Sequence, residues 1–104
     1  MTKLYNKLVR DKIPEIIEAD GKTTRTRVLE DGEFLVELVL KLQEEAKEFL
    51  ENPSLEELVD LKEVMIALRE SMDIRAGELE DARRQKAAKN GRFKKQIFLE
   101  SIEE

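Results

Sequence analysis

A three-residue break, Asn52-Pro53-Ser54, constrains this chain more than any other feature. On either side of it run long stretches with apolar residues at helical spacing. Proline lacks an N–H and disfavours helix in the residue before it, so a helix must end at Asn52. Ser54 then offers an oxygen to the free N–H groups of a new helix, with Glu57 three residues later in the capping-box position. So short a connection makes the two helices antiparallel neighbours. The end of the first therefore faces the start of the second, and residues 44–48 lie near residues 57–60.

The rest of the chain supplies shorter pieces. The first hairpin helix is expected over about 32–51 with Asp31 as N-cap, and the second to about 72. Upstream, Pro14 can stand in the first turn of a short helix over 12–20, with Asp11 as cap and Gly21 as stop. Residues 22–30 carry β-branched side chains with partial alternation. They read as an extended connection with room for one short strand at 23–29. Downstream, a helix over 76–90 stops at Gly91. A tail at 92–104 carries Phe93, Ile97, Phe98, Leu99 and Ile102, which should dock on the bundle or on a partner chain. With 41% charged residues, four Gly and two Pro, the composition favours long helices over tight turns. The expectation is a single all-α domain over 1–104, a bundle of about four helices, soluble and cytoplasmic, with no membrane span or signal peptide.

Helical wheels decide which acids point inward. On the second hairpin helix, Leu61, Val64, Met65, Leu68 and Met72 define the apolar stripe. Glu57 lies on it and Asp60 at its edge, whereas Glu56, Glu63 and Glu70 fall on the opposite side. On the first, the stripe is Leu35, Leu38, Leu42, Ala46 and Phe49. Glu45 points largely inward, Glu48 further out and Glu44 furthest out. Inward carboxylates repel one another and lose hydration, so they need cationic partners, protonation or a divalent metal. The chain has no His and no Cys. Any metal must then sit among oxygen ligands, which points to Mg²⁺ or Mn²⁺. Such a centre suits phosphate-anhydride chemistry. The same acids could instead form a solvated face, Glu57 acting only as a cap residue and Lys47 or Lys62 pairing with the others.

Glu44-Glu45-x-x-Glu48 followed by Glu57-x-x-Asp60 resembles the EExxE…ExxD signature of the all-α NTP pyrophosphatase superfamily, which includes the MazG-like enzymes. Residues 5–17 (YNKLVRDKIPEII) and 90–99 (NGRFKKQIFL) resemble a small stand-alone branch of house-cleaning, phosphoribosyl-ATP pyrophosphohydrolase-like enzymes. Arg92 departs from that branch, standing where a second Gly is expected. The resemblance implies a MazG-like bundle built from dimers and Mg²⁺-dependent cleavage between the α- and β-phosphates of a nucleotide. It implies Glu45, Glu48, Glu57 and Asp60 as metal ligands, with Glu44 a further ligand or the group that orients the attacking water.

Charge is unevenly spread. Residues 30–63 carry twelve acids and three bases, whereas residues 83–95 carry seven bases and no acid. Lys7, Arg10 and Lys12, near the start of the first helix, are candidates for phosphate binding, with Lys86, Lys94 and Lys95 as a second group. Arg10 and Asp11 could instead form an internal ion pair. Val36, Val39 and Leu40 lie off the main stripe and suggest a self-association surface, a homodimer or a dimer of dimers. Two other readings stand beside the house-cleaning hydrolase. One is phosphoribosyl-ATP hydrolysis in histidine synthesis. The other is a non-enzymatic module binding nucleic acid through residues 83–95, the less favoured because that run is short.

Overall fold

The structure, a computed structural model, describes residues 1–103. It is all-α, with four helices in chain order: α1 (Ile13–Ala19), α2 (Asp31–Glu51), α3 (Leu55–Ser71) and α4 (Ala76–Asn90). The chain divides into two compact units, Met1–Asp73 and the stretch from Ile74 onward.

In the first unit, α2 and α3 pack along each other as the short connection requires. Ser54 is extended and its side chain accepts a hydrogen bond from the Glu57 N–H at 3.2 Å, which fixes the first turn of α3. The other two expected caps are corrected. The N-cap of α2 is Glu30, with Asp31 already inside the helix, and that of α1 is Lys12 rather than Asp11. Neither N-cap side chain bonds to its helix. Pro14 does stand in the first turn of α1. Beyond α1, the chain turns at Gly21, whose φ of +86° only glycine adopts without strain. Its N–H donates to the Glu18 carbonyl at 3.0 Å.

Residues 22–30 form neither helix nor strand. No strand or bridge forms among the described residues, so their alternation joins no ladder. The segment is tied down by side chains instead: Arg27 makes two hydrogen bonds to Glu33, at 3.0 and 2.7 Å, and Thr24 donates to Glu18 at 2.5 Å.

The hairpin core is narrow. Leu38 and Val64 are its buried apolar residues, and Leu42, Phe49, Leu61 and Leu68 are half-buried. Leu35, Ala46, Met65 and Met72, expected on the inward stripes, are exposed. Two helices in contact cover a strip thinner than the ~100° face a bundle helix presents, so stripe edges stay open. Val36, Val39 and Leu40 are exposed, as their off-stripe positions suggest.

In the second unit, α4 begins where Glu78 accepts from the Arg75 N–H at 3.4 Å. It ends at Gly91, with φ of +85° and its N–H on the Ala87 carbonyl at 2.8 Å. Arg83 and Arg84 are both ion-paired to Glu80, at 2.7 and 3.3 Å. Phe93, Ile97, Phe98, Leu99 and Ile102 are all exposed. Among the described residues, no helix is long and apolar enough to cross a membrane.

Candidate metal centre

The hairpin brings Glu45 of α2 and Glu57 and Asp60 of α3 together, each offering a carboxylate oxygen within 4.8 Å of the others. Two features of the local sequence produce this. Glu57 and Asp60 are one helical turn apart and so share a face. Glu45 lies about two turns before the break, opposite that face. Glu45 is only 8% exposed. Its Oε2 is buried with no hydrogen-bond partner, and so is Oε2 of Glu57.

The electrostatics follow from the crowding. Burial holds the Glu45 carboxyl above the ordinary range; Glu48 and Asp60 push the same way, and Lys41 partly offsets them. Glu57 is also raised, first by burial and then by the charges of Glu48, Asp60 and Glu56. Glu44 behaves oppositely. The hydrogen bond from Lys7, at 3.1 Å, holds its carboxyl below the ordinary range despite some burial.

Not every candidate sits in the cluster. Glu48 acts on Glu45 and Glu57 through its charge but is not one of the three grouped donors. Glu44, expected furthest out, is half-buried and engaged by two lysines, Lys7 at 3.1 Å and Lys41 at 3.6 Å. Arg10 reaches Asp60 at 2.7 Å, so its partner is a cluster carboxylate rather than the adjacent Asp11. Lys12 is exposed at the start of α1. Lys86, Lys94 and Lys95 belong to the second unit and are exposed there.

Lys41, not singled out as a site residue from the sequence, is a charged neighbour of the cluster. It stands 3.6 Å from Glu44 and 3.9 Å from Glu45 and takes the pairing role that the sequence offered to Lys47 or Lys62. The signal was present: Lys41 precedes Glu44 and Glu45 by three and four residues, the spacing at which helical side chains meet.

The donor set fits a hard divalent cation. All three groups are carboxylates, two carry orphaned buried oxygens, and the nearby positive charges do not satisfy those oxygens. No family model and no solved structure matches the chain. A stretch of 41 residues is 51% identical to an uncharacterized protein of Mycolicibacterium smegmatis. The match covers 39% of this chain and 42% of that protein.

Proposed function

We propose that the chain is a Mg²⁺-dependent nucleotide pyrophosphohydrolase that cleaves the α–β phosphoanhydride of nucleoside triphosphates. The reading rests above all on one observation: the orphaned, buried Oε2 of Glu45 beside the carboxylates of Glu57 and Asp60. A buried charge left without full compensation costs several kcal/mol, and the two orphaned oxygens of Glu45 and Glu57, with Asp60 beside them, call for a cation beyond Lys41 and Arg10.

Glu45, Glu57 and Asp60 would hold that cation, Mg²⁺ or Mn²⁺, and Glu48, whose charge acts on both glutamates, would be the fourth carboxylate if its side chain turned inward. When bound, the cation neutralises phosphate charge and lowers the pKa of a water. Glu44 sits beside the cluster with its carboxylate kept ionised by Lys7 and Lys41. An ionised carboxylate at that position can accept a proton from an attacking water and hold its lone pair toward phosphorus. Lys7, Arg10 and Lys41 lie at the rim, where their charges would meet the polyphosphate. The exposed Val36, Val39 and Leu40 support self-association, and a homodimer is part of the proposal. Noncanonical nucleotides, as in the house-cleaning enzymes the chain resembles, are the proposed substrates.

The test is pyrophosphate release from a panel of canonical and modified nucleoside triphosphates with and without Mg²⁺. Activity should require the cation. Glu57→Gln and Asp60→Asn should each lower it by at least the ~100-fold that even indirect damage to a metal site can cause. Full activity in both variants refutes the assignment.

A further inference from the structure

The first ten residues form no helix or strand, and all but Leu8 are exposed. Two ion pairs tie this segment to the α2–α3 hairpin, and both land on acids of the candidate site. Lys7 Nζ meets Glu44 Oε1 at 3.1 Å, and Arg10 Nη2 meets Asp60 Oδ1 at 2.7 Å. Asn6, at the bend just before Lys7, has φ of +46°, a left-handed conformation that Asn tolerates better than most residues. A shallow cleft follows, with Asn6, Lys7 and Leu8 on one side and Glu37, Lys41 and Glu44 of α2 on the other.

Asp60 therefore differs from its two neighbours. Glu45 and Glu57 present buried oxygens without partners, while Asp60 already carries a guanidinium. The same carboxylate belongs to the group whose donors lie within 4.8 Å of one another. A divalent cation held there would repel a guanidinium bonded to one of its ligands, whichever oxygen of Asp60 it took. The pair is also easily exchanged, since its side chains are 53% and 41% exposed. Solvent-exposed ion pairs are weak.

We propose that Arg10 is an exchangeable counter-ion of this site. Its guanidinium neutralises Asp60 while no divalent cation is bound. A bound cation releases it, and the freed fork moves to the anionic polyphosphate. This inference rests on the metal reading above and adds to it a residue with two successive partners. Arg10 and the cation oppose each other on Asp60, so by linkage each weakens the other by the same factor. Once free, Arg10 has the planar fork that matches phosphate oxygens, and Lys7 on the same segment adds a second charge.

The test is calorimetric titration of the full chain with Mg²⁺ alone, then with inorganic tripolyphosphate at saturating Mg²⁺. Native protein is compared with Arg10→Ala, Arg10→Lys and Asp60→Asn, each checked for folding by circular dichroism. Arg10→Ala should bind Mg²⁺ about two- to fivefold more tightly, the factor a weak exposed pair represents. It should bind tripolyphosphate less tightly, while Arg10→Lys restores much of both native values. A merely structural role would move both affinities the same way. Unchanged or weaker Mg²⁺ binding in Arg10→Ala, or undiminished tripolyphosphate binding, overturns the exchange. The metal reading survives that result if Asp60→Asn still weakens Mg²⁺ binding. Absence of Mg²⁺ binding to the native chain removes both.

Discussion

Replacing Glu45 with Gln should change the stability of this protein in opposite directions depending on the cation. The amide keeps the shape and removes the charge. In the native chain, Oε2 of Glu45 is buried without a partner, and Glu48 and Asp60 disfavour its ionised form. A buried polar group left unsatisfied costs about 1–3 kcal/mol. The Gln amide can donate to either neighbouring carboxylate, so Glu45→Gln should recover part of that cost. One kcal/mol corresponds to roughly 4–8 °C in a domain of about this size. At pH 7 in chelator, the variant should therefore melt a few degrees above the native chain. With Mg²⁺ the order reverses. Cation at about 100 times its Kd adds about 2.7 kcal/mol to the native protein by mass action. The variant, having lost a charged donor, should gain much less. Thermal melts followed by circular dichroism, in chelator and across a Mg²⁺ series, read both effects. A variant that melts lower in chelator, or that keeps the full Mg²⁺-dependent rise, refutes the reasoning.

The same carboxylates make stability depend on pH. Glu45 and Glu57 titrate above the ordinary range when folded, so metal-free stability should fall as pH rises from that range through their folded values. Glu44, bonded to Lys7, and Glu33, bonded to Arg27, titrate below it, so their contribution is lost as pH falls through those lower values. The metal-free melting temperature should peak at mildly acidic pH, and saturating Mg²⁺, which needs ionised ligands, should move the peak toward neutrality. A metal-free melting temperature still climbing toward pH 7 would contradict this. Ser54→Ala removes the bond to the Glu57 N–H and should cost about 1 kcal/mol. It should also weaken Mg²⁺ binding, since that turn carries Glu57; an unchanged melt and titration would show that the cap does not set the site.

The hairpin and its inward acids were legible because both depend on short-range rules. Pro53 and Ser54 dictate the turn, and helical spacing places Glu45 and Glu57. The bounds of α4 were equally readable, because Gly91 supplies the left-handed stop that ends it. The caps at Asp11 and Asp31 were not, since residue type alone does not say which position before a helix leaves helical geometry. The exposure of Leu35, Met65 and Met72 was hidden because a wheel gives the direction of a side chain and not what stands opposite. The partner of Arg10 was hidden for a related reason. Asp60 is fifty residues away, and only the fold decides that the two side chains meet.

The brevity of the link at residues 52–54 also bears on how the molecule assembles. The grouped donors all fall between Glu45 and Asp60, so joining them closes only a small loop and costs little chain entropy. Contacts this local form early, before distant parts of a chain have found one another. Their mutual repulsion would then act at the first stage of folding. A hard ion in the surrounding solution would then serve the nascent hairpin as a clasp.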